Sequence, residues 1–276
     1  MILSIYMDNP RNQLIVNMKT NKMLKLTSYP LVAAVAVLVM SYTKFSTVNN
    51  SRPVSKPFPY VVSADSTANN ISHATKEEKS DCYDVWQLGS AGLSKAAFNY
   101  AMKGFDYLNR VNQVTKKNIL TVVDFSKAST QKRLYVIDVI TGKILFNTWV
   151  AHGRNSGNEY ANEFSNMPES HQSSLGFYTT LDTYTGGHGY SLRLKGCEKG
   201  INDKAYERAI VIHGADYVSD DFINSRGALG RSYGCPAIPN ELSKKIIDVI
   251  KNGSCLFIYH PTKKYCNSSK ILNSQI

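Results

Sequence analysis

From Asn118 to His260 the chain alternates short apolar runs with turn-formers, the rhythm of β-strands rather than of helices. ILTVVDF, RLYVIDVI and KILFNTWVAHG come first, followed by LGFYTTLDTY, YSLRLKG, RAIVIHG and SCLFIYH. All are rich in β-branched and aromatic residues, which pack well on a pleated surface. Thr141-Gly142, between the second run and the third, predicts a tight hairpin. Two segments follow a helical period instead. Behind Ser94 as N-cap, Ala97, Phe98, Ala101, Phe105 and Leu108 recur at helical spacing, so residues 81–116 are expected to hold an amphipathic helix docked on the main body. Pro239-Asn240 opens a second helix, with Leu242, Ile246, Ile247 and Ile250 on one face and Gly253 as its stop. Many short strands and few helices predict a mainly β, largely antiparallel domain over residues 117–262. The polar tail at 263–276 is expected to be loosely held.

The N-terminal pattern bears on compartment. Lys19, Lys22 and Lys25 precede the apolar run LVAAVAVLVM at Leu31–Met40, the layout of an export signal. The run is shorter than the ~20 residues of a spanning helix. No clean small-x-small site closes it, so residues 1–41 read either as a cleaved signal or as an uncleaved membrane anchor. Met18 or Met23 would make a more ordinary start for such a signal. Residues 42–80, rich in Ser, Thr, Asn, Lys and Pro, read as a flexible linker. The protein is therefore expected on the periplasmic or wall side of the membrane.

Composition narrows the partners. The chain carries 32 Lys and Arg against 21 Asp and Glu, a net charge of +11, which favours an anionic partner such as a wall polymer or membrane surface. Nucleic acid fits poorly, because no compact basic motif with interleaved aromatics is present. A basic surface that confers only solubility is the plainer alternative. The six histidines are too scattered for a metal centre, and no cofactor motif appears. Of the five cysteines, Cys255 lies in the strand-like SCLFIY and reads as a small buried hydrophobe. Bridges among Cys82, Cys197, Cys235 and Cys266 stay open, and no C-x-x-C pair suggests zinc or redox chemistry.

The stretch HGADYVSDDFINSRGALGRSYGCPAIP, from His213 to Pro239, is where chemistry concentrates. His213 closes the strand RAIVIHG, so a sheet can hold its ring while one face stays open. Cys235 follows Gly234 in GRSYGCPAIP, a segment too rich in Gly and Pro for a regular element; the glycine permits a sharp turn and Pro236 stiffens the exit. A thiol presented this way can be deprotonated by an imidazole. The backbone N–H groups of Tyr233, Gly234 and Cys235 are candidates for an oxyanion hole. A histidine and a cysteine at this separation do not by themselves distinguish catalysis from packing.

HG followed by S-x-G-C resembles the signature of the murein L,D-transpeptidase catalytic domain, the YkuD-like fold. VAHGRNSG, FSN, SSLGFY, SLRLKG, NDKAYERAIVIHGA and GRSYGCPAIP resemble one branch of that family in the same order, over roughly 117–262. The resemblance implies a YkuD-like antiparallel β-sandwich or barrel, and a cysteine acyltransferase acting on peptidoglycan stem peptides. By the same carry-over Cys235 is the nucleophile, His213 the general base, and the Gly214 carbonyl orients the imidazole; Ser232 and Gly234 shape the cysteine loop. The donor would lose a terminal D-alanine as a thioester forms, and an amine of a neighbouring stem would resolve it. Susceptibility to carbapenems is implied as well.

Two positions depart from the wider family. Tyr233 stands where many members have His, and Ala237 where many have Arg two residues after the cysteine. Arg231 is a candidate to substitute in binding substrate, or else a solvated loop charge, and His152 either lines the cleft or caps a turn. Ser173, Ser174 and Gly176 read either as cleft wall or as a plain turn. Tyr190 and Arg193 lie on opposite faces of a strand, so only one is expected to reach the site. A sortase would need an arginine after the cysteine, and none follows Arg231. Papain-like enzymes reverse the Cys–His order. An L,D-carboxypeptidase using the same residues, and a non-catalytic wall-binding module with a buried cysteine, remain the alternatives.

Overall fold

The computed structural model describes residues 82–274. The expected export signal or anchor and the linker lie outside them. Eight strands form one sheet in the order β3-β2-β1-β8-β4-β5-β6-β7. They are β1 (Ile119–Asp124), β2 (Leu134–Asp138), β3 (Lys143–Thr148), β4 (Gly176–Gly186), β5 (Gly189–Gly196), β6 (Val211–Gly214), β7 (Ala237–Ile238) and β8 (Cys255–Tyr259). Most neighbours are antiparallel, but β1 runs parallel to β8 and β6 parallel to β7. The seven runs read as strands all form; the two-residue β7 has no periodic signal of its own. β1 and β8 are buried at every position because both sheet faces are covered there. β3, at one end of the sheet, is only partly buried.

The two ends of the sheet meet. Just beyond β3, Ala151 bridges Ala237 of β7 and Gly153 bridges Ser232, giving a barrel-like closure. The Ala151 amide donates to the Ala237 carbonyl at 2.8 Å, and Ser232 donates to the His152 carbonyl at 3.0 Å. The nucleophile candidate thus hangs from the seam that closes the sheet.

Helix α1 (Lys95–Arg110) starts at Ser94, whose hydroxyl accepts from the Ala97 amide, and buries Ala97, Phe98, Ala101, Gly104, Phe105 and Leu108. It packs over β1 and β8. Two short helices carried no clear apolar period: α2 (Asp220–Arg226), capped by the Ser219 hydroxyl, and α4 (Lys263–Ser268). Helix α3 (Asn240–Ile250) buries Ile246, Ile247 and Ile250 and packs against β5 and β6.

The tail is not loosely held as its polarity suggested. Tyr265, Ile271 and Leu272 are buried. The reason is Glu198, whose buried carboxylate accepts from the Phe177 amide at 2.8 Å, from the Tyr265 hydroxyl at 3.1 Å and from the Ser269 hydroxyl. A buried carboxylate needs such partners, and the tail supplies two of them. Cys255 is fully buried in β8, and Cys197, Cys235, Cys255 and Cys266 all carry thiols rather than disulfides.

Where α1 crosses β4, Gly104 gives the Phe177 ring room to stack on Phe257 at 4.1 Å. A methyl group at 104 would fall 1.9 Å from the Phe177 Cζ. Gly104→Ala gains ~1 kcal/mol of helix propensity, against an overpacking cost of roughly 1–3 kcal/mol. We expect a net loss seen as a lower melting temperature, with Phe177→Leu in the same chain recovering part of it; a higher melting temperature for Gly104→Ala alone would contradict this packing.

Candidate active site

Strand β6 carries His213, and the cysteine loop lays Cys235 against the backbone of the same strand. His213 Nδ1 lies 2.9 Å from the Gly214 carbonyl. A carbonyl can only accept, so Nδ1 carries the proton and Nε2 keeps a lone pair. Cys235 Sγ accepts from the Val211 amide at 3.4 Å and lies 3.7 Å from the Ala209 carbonyl. Val211 precedes His213 by two positions on β6, so the thiol lies against the backbone of the strand that carries the imidazole. His213 Nε2 is not among the hydrogen-bond partners of Sγ, which is turned toward the β6 backbone.

The loop is held by its own small residues. Ser232 Oγ donates to the Cys235 carbonyl at 2.6 Å and accepts from the Gly234 amide at 3.0 Å. Gly234 adopts φ +121°, and an added Cβ would meet the Gln172 carbonyl at 2.8 Å. Ser173 Oγ accepts from the Gly153 amide at 3.0 Å and reaches the Gly234 carbonyl at 3.2 Å. The Gly234 amide, expected as an oxyanion donor, is therefore already used inside the loop, which leaves those of Tyr233 and Cys235.

Two expectations change. His152 does not line a cleft: it is fully buried at the seam, accepts from Arg133 Nη2 at 2.8 Å through Nδ1, and its Nε2 lies 3.4 Å from the Gly157 carbonyl. Burial first, then the Arg133 charge, push its pKa down to about 4, so it is a neutral structural imidazole. Neither Tyr190 nor Arg193 reaches the site. The Tyr190 hydroxyl bonds Asp248 on α3 at 2.8 Å, and Arg193 pairs with Asp182. Ala237 is buried in β7, and Arg231 stands exposed on the cysteine loop with Nη1 donating to the Gly157 carbonyl at 3.2 Å.

The cation acting on the thiol comes instead from Arg208, which the sequence reading passed over. Its guanidinium donates to the Ser165 carbonyl and the Ser174 hydroxyl, both at 2.7 Å, and to the Gln172 carbonyl at 2.7 Å. It thereby clamps the 165–174 segment on which Gly234 rests. Burial raises the Cys235 thiol above its ordinary value, with the Val211 amide and the Arg208 charge opposing it. Burial likewise lowers His213, while its Gly214 hydrogen bond works the other way. Both groups rest neutral: the arrangement is a thiol beside an imidazole, not a ready-made ion pair.

His188 was also passed over. β5 pairs with β6 so that Ser191 faces His213, and the β4–β5 turn at Gly187–His188 immediately precedes β5. The exposed His188 ring stacks on His213, with centroids 4.4 Å apart and planes 25° apart. His213 itself is 2% exposed, so the hairpin tip covers the ring from the solvent side. Among the described residues, no group of His, Cys, Asp or Glu is placed to hold a metal ion.

A family model described as the L,D-transpeptidase catalytic domain matches residues 90–259, and the chain belongs to that family. Similar solved structures include an L,D-transpeptidase from Mycobacterium smegmatis, at 14% identity and TM-score 0.33, covering 52% of this chain and 59% of that one. Another, from Xylanimonas cellulosilytica, is 12% identical with TM-score 0.31, covering 53% of this chain and 63% of that one. A C442S mutant of the Enterococcus faecium L,D-transpeptidase is 14% identical with TM-score 0.30, covering 51% and 50%. The chain thus spans between half and two thirds of the length of these proteins. No curated protein matches it.

The stacked pair yields a test that needs no substrate. His188 lowers the His213 pKa as a like charge. His188→Phe keeps a ring on the stack and removes that charge, so His213 should titrate at a higher pH in an NMR titration of labelled protein. An unchanged or lower midpoint would refute the coupling.

Proposed function

We propose that the protein is a cysteine acyltransferase of peptidoglycan remodelling, an L,D-transpeptidase with Cys235 as nucleophile and His213 as base. The single observation that carries the reading is that the imidazole and the thiol both lie on strand β6. The imidazole is held there in the tautomer that can take a proton, and the thiol lies against the same strand two residues away. The basic segment and apolar run before residue 41 fit an exported protein that meets the wall.

The reaction follows from those groups. Sγ turns from the Ala209 carbonyl toward a donor stem peptide and attacks the carbonyl before its terminal D-alanine, while the thiol proton passes to His213 Nε2. The carbonyl becomes an oxyanion, whose stabilisation we assign to the Tyr233 and Cys235 amides. Its collapse expels D-alanine, whose nitrogen takes the proton from His213, and leaves a thioester on Cys235. An acceptor amine attacks the thioester and gives a proton to the imidazole; the thiolate leaves and is reprotonated. Because the imidazolium forms only in the course of reaction, Gly214 stabilises it with a carbonyl rather than a full charge.

A strained β-lactam carbonyl presents the same electrophile without a diffusing leaving group. Imipenem or meropenem should therefore give a single adduct by intact-protein mass spectrometry, absent from Cys235→Ala. An adduct that survives in Cys235→Ala, or none on folded wild-type protein, would refute the assignment.

The two histidines should separate. His213→Ala should slow acylation at pH 7 by about 10²- to 10⁴-fold, the usual contribution of a positioned base. His152→Ala leaves Arg133 without its ring partner, so its main effect should be a lower melting temperature. Stopped-flow acylation and thermal melts together distinguish them; equal rate losses at unchanged stability would reverse the roles. Incubation with stem-peptide fragments then separates cross-linked products from hydrolysed ones, the outcome expected of an L,D-carboxypeptidase.

A further inference from the structure

An open cleft of about 500 Å³ lies beside the cysteine loop, and Arg154, Arg226 and Arg231 all line it. They come from separate segments: the 3₁₀ turn at Arg154–Ser156, the end of α2, and the cysteine loop itself. No aspartate or glutamate lines the cleft, and among the described residues none of the three forms an ion pair. Asp220 and Asp221 open α2 at its other end and are not part of the lining.

Rival explanations account for the arginines only singly. A cation at the end of α2 complements the helix dipole, which suits Arg226 alone. Arg231 places Nη1 on the Gly157 carbonyl. Neither explains why three like charges converge on one concavity, an arrangement that costs energy until an anion enters. Tyr233 forms one wall. It is 65% exposed, with the Arg154 guanidinium 5.8 Å from its ring centre and the His171 ring 4.5 Å away on centroids. Tyr233 stands two residues before Cys235, so the cleft borders the cysteine loop, although Cys235 itself is not part of the lining. Phe222, one helical turn before Arg226, adds an apolar surface.

We infer that this cleft is a carboxylate subsite for the stem peptide, with Arg154, Arg226 and Arg231 as its positioning cations and Tyr233 as its platform. Guanidinium forks match carboxylates in bidentate geometry, and the aromatic walls suit the peptide stem between charges. The inference rests on the acyltransferase reading and deepens it: substrates are selected for free carboxylates along the stem, not only for the bond that breaks.

Calorimetry with full-chain Cys235→Ala, which binds without turnover, provides the test. A stem tetrapeptide with free carboxylates should bind about tenfold or more tightly than the same peptide with those groups amidated. Combining Arg154→Gln, Arg226→Gln and Arg231→Gln should shrink the difference to within about twofold, with a thermal melt confirming the fold. Equal affinity for both peptides, no binding of either, or a preference that survives the triple substitution would overturn the subsite. Inorganic phosphate or diphosphate that binds in the cleft more tightly than the peptide would also overturn it, in favour of a phosphate-bearing wall polymer. A carbapenem adduct on wild-type Cys235 is read separately: its presence alongside a failed binding test sinks the subsite alone, and its absence sinks the acyltransferase reading.

Discussion

The site depends on the backbone seam at which the sheet's two ends meet. The Ala151 amide on the Ala237 carbonyl, the Arg154 amide on the Ser232 carbonyl and the Ser232 amide on the His152 carbonyl, at 2.8 to 3.0 Å, tie the strand beyond β3 to the cysteine loop. Without them the loop would keep only β7, a strand of two residues, and scattered single contacts such as that of Ser173 Oγ with the Gly234 carbonyl. The close approach explains the glycine in the HGRNSG block. A Cβ at Gly153 would sit 2.4 Å from the His171 carbonyl and 2.9 Å from the Gly234 Cα. Two backbones touch there, and a glycine on each side makes that contact possible.

Behind the seam lies a buried cation. Arg133 is fully buried, donates twice to the Val150 carbonyl at 3.0 and 2.9 Å and once to the Lys127 carbonyl at 2.8 Å, and holds His152 with the remaining fork. Burial depresses its pKa to about 9, while Asp124 opposes the fall. Carbonyl oxygens and a neutral imidazole replace water around the guanidinium, which keeps the burial of a charge tolerable. His152 is thereby spent on structure. A histidine followed by glycine at a strand end looks the same in the sequence whether its ring stacks under an exposed hairpin tip, as His213 does, or meets a buried arginine.

That contrast marks what the sequence reveals and what it hides. β1, β2, β4 and β8 are legible because their β-branched runs are long enough to carry a period. The cysteine loop is legible because Gly and Pro exclude a regular element around Cys235. β7 escapes notice, since two residues have no periodicity and pair only because the sheet closes. The tail misleads because Glu198, far back in the chain, supplies the acceptor that its Tyr265 and Ser269 need. Arg208 and His188 share this difficulty. One acts on the thiol through a clamp on 165–174, the other through a hairpin tip brought over β6 by strand register, and both relations are long-range.

The resting site is closed in a chemically specific sense. Sγ lies against the Ala209 carbonyl, and Ala209 is a non-glycine residue at φ 52°, the left-handed region. That conformation costs on the order of 1–2 kcal/mol and persists only where surrounding structure imposes it. It turns the carbonyl just ahead of β6 toward the thiol. The stacked His188 ring covers His213 at the same time, and burial keeps the thiol protonated and the imidazole neutral. A neutral thiol is a poor nucleophile, so water and stray electrophiles meet little reactivity. The strand whose Val211 amide holds the resting thiol also carries His213, and the residue two positions ahead of that strand supplies the thiol's other contact, so one short segment sets the surroundings of both groups.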